Sequence, residues 1–209
     1  MKIYFRYILI LLASISQFAN AESNLPMLSN THFQKCLNNL QNSHAFSNIP
    51  SNSFSNYRPN TPDPSVISAQ QYQPEFKLQP WDYLTSLVDE ERVQDGITAK
   101  NLLKNILPKI EKKYQVKAKD VLAVWGVESN FGKTLGKKDL FQSLATLSCF
   151  GSRQSYFRTE YASAIKIVEN GDIKLSDMKG SWAGAFGQTQ FMPSTFLRLA
   201  QDFDGDGRK

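Results

Sequence analysis

The chain has 209 residues, 41% of them hydrophobic, and its 24 Lys and Arg against 19 Asp and Glu give a formal net charge of +5. That balance excludes a nucleic-acid footprint, because the basic residues are interspersed with acids, as in LPKIEKKYQVKAKD, and no arginine-rich run alternates with aromatics. There is no CxxC, HExxH or His/Cys cluster to hold zinc, and His32 and His44 lack the neighbouring acid or serine motif from which a hydrolase triad is built.

In chain order, Lys2 and Arg6 precede an apolar run from Tyr7 to Ile15, and Ala19-Asn20-Ala21 supplies a small-residue cleavage pattern. Residues 1–21 therefore read as a cleaved export leader, too short to span a membrane comfortably, and no second long apolar stretch follows. Removing Lys2 and Arg6 lowers the net charge from +5 to +3. No cysteine stands at the cleavage point to take a lipid, so the mature chain is expected to be periplasmic without an integral membrane span. Cys36 and Cys149 would meet an oxidising compartment there, where they either pair or lie apart as small buried hydrophobes.

Residues 22–80 form the expected N-terminal part. Phe33, Cys36, Leu37 and Leu40 predict a short amphipathic helix over 30–42. Six of the nine prolines then fall between Pro50 and Pro80, which predicts an extended, irregular segment with Phe54, Tyr57, Val66, Ile67, Tyr72 and Phe76 as anchors along a folded body.

Residues 81–209 are expected to be mainly α. WDYLTSLVDEERVQDG predicts a helix stopped by Gly96, and TAKNLLKNILPKIEKKY one kinked or split by Pro108. Further helices are expected through LFQSLATLS, from about Gln154 to Glu169, and from Pro193 through Ala200.

Glu128, in AKDVLAVWGVESNFG, shares a helical face with Val121, Val124 and Trp125. It is expected to leave water with that stripe, near a helix end marked by Ser129, Asn130 and Gly132, and a desolvated carboxyl at a helix C-terminus suits a general acid. A helix-terminal glutamate paired with Lys133 is the plainer alternative. A second unusual stretch, KGSWAGAFGQTQFMPST, interleaves glycines with aromatics and amides that suit sugar faces and hydroxyls, although a tightly packed turn would use the same glycines.

VWGVESNFGKTLG, LATLS, SYFRTEYASAI, KGSWAGAFGQTQFMPST and DFDGDG, with TPDPSVI, QPEFKLQPWDYL and RVQDG before them, occur in order from about Phe33 onward. Together they resemble the membrane-bound lytic murein transglycosylase B family of peptidoglycan-cleaving enzymes, glycoside hydrolase family 103. The resemblance implies a lysozyme-like transglycosylase fold. It also implies cleavage of the MurNAc-GlcNAc β-1,4 bond of peptidoglycan glycan strands with 1,6-anhydro-MurNAc ends.

On the matching positions Glu128 is the catalytic acid/base, Ser181 its hydrogen-bonding serine, Gln190 and Tyr156 groove residues, and Arg153 a contact for the stem peptide. Gln188 falls in FGQTQ, which departs from the common family form. One acid suffices if the substrate's N-acetyl group and 6-hydroxyl do the rest. Asp139 lies in a KKD turn, and Glu160 is expected on an exposed helix face.

No cofactor is implied for catalysis. Asp202, Asp204, Asp206 and the Arg208 carbonyl match the first, third, fifth and seventh ligands of an EF-hand-like calcium loop whose distal acid is not in the chain, so a partial structural Ca2+ site and an ion-free turn both stand. The family's catalytic region continues beyond DFDGDG, which implies a C-terminally shortened chain here. A peptidoglycan-binding protein without activity and a lysozyme-type muramidase are the competing functions.

Overall fold

The computed structural model describes residues 27–72 and 78–209. The expected leader and Phe76 lie outside them. Helices dominate. Ser29 caps α1 (Asn30–Gln41), accepting the His32 amide, and Phe33, Leu37 and Leu40 form its buried face. A short 3-10 turn, α2 (Ser51–Asn56) and α3 (Pro64–Gln71) follow, so two stretches of the described proline-rich segment are helical where an irregular path was expected, while residues 57–63 between them are irregular. Its prolines start helices: Pro50 caps α2 and Pro64 opens α3. Phe54, Val66 and Ile67 are buried as anchors, whereas Tyr72 is exposed.

α4 (Pro80–Leu87) and α5 (Glu90–Leu102) break at Val88–Asp89, where the Asp89 carboxylate accepts the Arg92 amide at 2.7 Å. Gly96 lies inside α5 and does not stop it; a Cβ there would stand 3.2 Å from the Phe131 ring, so the glycine serves close packing. Pro108 does split the next helix, opening α6 (Leu107–Tyr114). α7 (Ala118–Ser129) comes next, then β1 (Lys138–Asp139), α8 (Leu140–Phe150) and α9 (Gln154–Glu169). β2 (Lys179–Gly180) pairs antiparallel with β1, and α10 (Pro193–Leu199) follows, with Ala200 as its cap. Among the described residues no helix is long and apolar enough to cross a membrane.

The main core is built on α8 and α9. Leu140, Leu144, Leu147, Phe157, Tyr161 and Ile165 meet Phe33, Phe46 and Phe54 from the N-terminal part there. Burial drives the Tyr161 phenol pKa up, and its hydroxyl donates to the Tyr57 carbonyl at 3.0 Å. Tyr57 in turn donates to Glu169 at 2.6 Å, and this bond to the carboxylate pushes its pKa up to about 12. Cys36 and Cys149 form a disulfide joining α1 to α8 across 113 residues, a closure worth about 2–4 kcal/mol. A smaller cluster of Ala99, Leu107 and Leu122 holds α5, α6 and α7 together.

Lys138 ties β1 to the start of α3, donating to Asp63 at 2.7 Å and to the Ser65 hydroxyl. Burial pushes the Asp63 carboxyl pKa up, but the bonds from Lys138 and Ser65 outweigh it and leave it below the usual value. A carboxylate with a depressed folded pKa stabilises the fold above its unfolded pKa of about 3.9, and that contribution is lost as pH falls through the folded value. Lys138→Met is expected to cost about 0.5–1 kcal/mol near pH 7, a figure discounted for solvent screening, and to flatten the decline of stability in acid. Urea titrations across the acid range check this; an acid slope identical to wild type would refute the coupling.

Candidate active site

α7 buries Leu122, Gly126 and Ser129, at spacings of four and three, against α5, α6 and Phe131. Val121 and Trp125 are half-buried against the same cluster, while Val124 is 57% exposed. Glu128 shares this outward setting and is itself exposed, contrary to the expected shelter. Gly126 makes room for Phe131, since a Cβ there would lie 2.7 Å from its ring, and the Trp125 ring packs edge-on against the same Phe131 at 5.4 Å. The helix does end behind Glu128, at Asn130 with φ 49°, whose amide returns to the Gly126 carbonyl. Lys133 pairs with Asp95 and not with Glu128.

Ser129 is buried and joins this helix end to the second unusual segment. Its hydroxyl donates to the Gln188 carbonyl at 2.6 Å and accepts the Gly132 amide at 3.1 Å. The segment from Gly180 to Met192 is laced by its own backbone, with Gly180 bridged to Phe186 and Phe186 to Phe191. Gln190 adopts φ 47°, and its side-chain amide donates to the Gly187 carbonyl at 2.8 Å and the Leu135 carbonyl at 3.3 Å. Gly136, φ +83°, lets the two chains touch, since a Cβ there would stand 2.2 Å from the Gly180 carbonyl carbon. The Gln188 side chain covers Gly132.

Ser181 sits in this segment, but its hydroxyl accepts the Ala185 amide at 3.1 Å to close a local turn, and no hydrogen bond to Glu128 is formed. Glu128 is thus brought to Gln188 and Gln190 through Ser129 and the backbone. A concavity of about 710 Å³ lies on the Gln188 side, lined by Asp120, Val121, Val124, Trp125, Gln188 and Thr189 among others; Glu128 and Gln190 stand outside its lining. The Trp125 indole N–H is buried without a partner among the described residues.

Tyr156 and Arg153 stand at the start of α9, the Arg153 guanidinium 5.1 Å from the Tyr156 ring centre. Burial raises the Tyr156 phenol pKa, the Glu160 charge adds to this, and Arg153 opposes it. No described contact links the pair to Glu128. Glu160 is buried, at 2% exposure, and not on a solvent face; its carboxylate accepts both the amide and the hydroxyl of Ser194. Sequence reasoning named Ser129 only as a helix-end marker and passed over Ser194. The signal for Ser129 was its place beside Glu128; Ser194 carried none, because its partner lies 34 residues away.

At the end of the described chain, carboxylate oxygens of Asp202, Asp204 and Asp206 lie within 4.8 Å of one another. Bonds from the Gly207 and Gly205 amides hold the Asp202 carboxyl below its usual pKa, and the Arg208 amide donates to Asp206 at 2.8 Å. Three convergent carboxylates on a glycine-bent loop fit the first half of a calcium site.

The model of the transglycosylase SLT domain matches residues 32–209. The chain belongs to that family. It is 32% identical over 126 residues to membrane-bound lytic murein transglycosylase B of Escherichia coli, covering 60% of this chain and 35% of that one. Its fold is similar to SltB3 from Pseudomonas aeruginosa, solved in complex with NAG-NAM-pentapeptide and with NAG-anhNAM-pentapeptide, with 39% identity and TM-score 0.77 over 84% of this chain and 47% of that chain. The Escherichia coli lytic transglycosylase Slt35 in complex with calcium aligns with 27% identity and TM-score 0.69, over 86% and 57% of the two chains. The chain thus spans roughly a third to just over half of these relatives. The mainly α architecture is the lysozyme-like fold of lytic transglycosylases.

Removing the Ser129 hydroxyl leaves the Gln188 carbonyl and Gly132 amide without their partner. Ser129→Ala is expected to lower stability by about 1–2 kcal/mol and to speed amide exchange at Gly132, measured by denaturation and NMR. Unchanged exchange would show that the segment is held elsewhere.

Proposed function

We propose that this chain is a lytic transglycosylase that cleaves the MurNAc-GlcNAc β-1,4 bond of peptidoglycan. The observation that carries the reading is the junction at Glu128. The exposed Glu128 carboxylate stands at the end of α7, next to Ser129, which ties that end to Gln188; Gln188 in turn lines an open concavity that has Trp125 on its wall and Asp120 as its acid. A glycan strand needs such an open groove, and its sugar faces suit Trp125 and the valines while hydroxyls suit the amides. The complexes of SltB3 with muramoyl peptides support the substrate class.

In this mechanism Glu128 protonates the glycosidic oxygen as the bond to C1 breaks. The N-acetyl carbonyl of the muramoyl residue supports the positive charge at C1. Glu128 then accepts the proton of that sugar's 6-hydroxyl as its oxygen bonds to C1, giving the 1,6-anhydro end without water. Glu160 and Asp139 are spent on structure, both Glu160 oxygens facing Ser194 and Asp139 capping α8 by accepting the Gln142 amide; Asp120, in the first turn of α7, is the acid that lines the concavity. Ser181, Gln190 and Gln188 are assigned to the glycan, Tyr156 to the groove, and Arg153 to a stem-peptide carboxylate. The chemistry calls for no cofactor.

The same reading takes residues 1–21 as an export leader and the periplasm as the place of action. It divides the mature chain into an N-terminal part, 22–80, and the catalytic region, 81–209. Asp202, Asp204, Asp206 and the Arg208 carbonyl would hold a structural Ca2+, for which the calcium complex of Slt35 is the supporting comparison.

Incubating murein with the chain from Glu22 onward is expected to release anhydromuramoyl ends, read by mass spectrometry, and Glu128→Gln to lower the rate at least about 1,000-fold while wall binding persists. Equal cleavage by the variant would overturn the assignment. Reducing ends would mean a muramidase, and binding without cleavage a wall-binding protein. Calcium titration is expected to release heat that Asp204→Asn abolishes; no heat in either protein would leave the loop an ordinary turn.

A further inference from the structure

Glu160 is a buried carboxylate that the proposed chemistry leaves unused. It sits on α9, one turn after Tyr156, and no cation among the described residues pairs with it. Burying a charge without a counter-ion is costly unless hydrogen bonds replace the lost water. Here the replacement is one residue: Oε2 accepts the Ser194 amide at 2.9 Å and Oε1 the Ser194 hydroxyl at 2.7 Å. Pro193 has no N–H, so Ser194 presents the first free amide of α10.

Ser194 is two short steps from the groove segment. Only Met192 and the buried Pro193, whose ring fixes φ, separate it from Phe191. Phe191 is bridged to Phe186, and Phe186, buried and 5.4 Å from the Phe196 ring, is bridged to Gly180. A shift of Ser194 would therefore reach Gly187, Gln188 and Gln190 through a stiff backbone lattice. The same C-terminal half of the segment is also held at Gln188 by the Ser129 hydroxyl and at Gln190 by the Leu135 carbonyl.

We propose that Glu160 is a positioning residue: its carboxylate clamps Ser194 and thereby fixes the Gly180–Met192 segment against α9, setting the distance between the Gln188–Gln190 amides and the Tyr156 rim. This rests on the transglycosylase reading for its catalytic consequence, but not for its structural one. A purely structural cap would stabilise the whole molecule; a clamp acts on this segment.

The test uses Glu160→Gln, Ser194→Ala and the double variant, with amide exchange, thermal melting and murein cleavage measured on each. In Glu160→Gln one Ser194 donor must face the new side-chain NH2 group. The amides of Phe186 and Gln190 are then expected to exchange about tenfold faster while those of α1 and α8 keep their rates, and kcat to fall about tenfold with KM changed less than threefold. With the hydroxyl removed by Ser194→Ala, the glutamine oxygen can still accept the Ser194 amide, so Glu160→Gln is expected to cost less in that background. Unchanged Phe186 and Gln190 exchange, or uniform acceleration of all amides with a matching fall in Tm, would overturn the clamp. If the wild-type chain yields no anhydromuramoyl ends, the functional reading falls while the exchange pattern still decides the positioning role.

Discussion

The burial of α8 on all sides is the constraint from which the rest of the structure follows. Nine of its eleven residues are buried, and each large aliphatic side chain withdrawn from water contributes about 1.5–3 kcal/mol. A helix enclosed this way must be wrapped by other elements, and each wrapping contact is specific. Its first amide donates to the Met178 carbonyl, which brings β2 and the groove segment alongside. Midway, the Thr146 hydroxyl donates to the Gln142 carbonyl and accepts the Asp63 amide, registering α3. Its last turn carries the disulfide to α1. Within the proline-rich part α3 is thus laid on α8 and α2 on α9, each helical where it has an apolar face to bury.

A second consequence concerns where Glu128 stands. α7 belongs to the small cluster with α5 and α6, whereas the Gly180–Met192 segment is held by the large core through Phe186 and Met178. Glu128 and the amides proposed to meet the glycan therefore come from different packing clusters. Local bonds hold the junction: Ser129 to Gln188, Gln190 to Leu135, and the near-contact of Gly136 with Gly180. Glu160 works on the same segment through Ser194, just past Met192. Such an arrangement puts the geometry of the site under the control of a few hydrogen bonds and not of bulk burial, so substitutions there should change positions before they change stability.

Much of this was legible in local sequence. The apolar spacings of α1, α8 and α9 mark helices because those faces meet the core, and Asn130 and Gly171 mark ends by their left-handed conformations. What failed was reading burial from residue type. Pro64 and Pro80 open helices although proline composition points to irregular chain, and Gly96 admits Phe131 although its position suggests a helix stop. On α7 Val121 and Trp125 do pack on the small cluster, but Glu128 on the same stripe stays exposed. Glu160 was misplaced because its reward for burial, two donors on Ser194, comes from a distant element. The pairing of Cys36 with Cys149 is likewise a tertiary fact that spacing leaves open.

The openness of Glu128 bears on the proposed chemistry. A small substrate can be enclosed, but a long glycan has to lie across a surface, and the water around a catalytic carboxyl must then be displaced by the polymer itself. The exposed side of α7 is suited to displacing it, since Val124 and Val127 are exposed beside Glu128, with half-buried Val121 and Trp125 behind them. Sugar rings laid on these side chains would exclude water and place acyl and hydroxyl groups over Glu128. Val121 and Trp125 already pack on the small cluster, so it is exposed Val124 and Val127 that a bound strand would cover. On the proposed reading, desolvation of the acid would come with substrate binding and tie the protonation chemistry to a correctly seated strand.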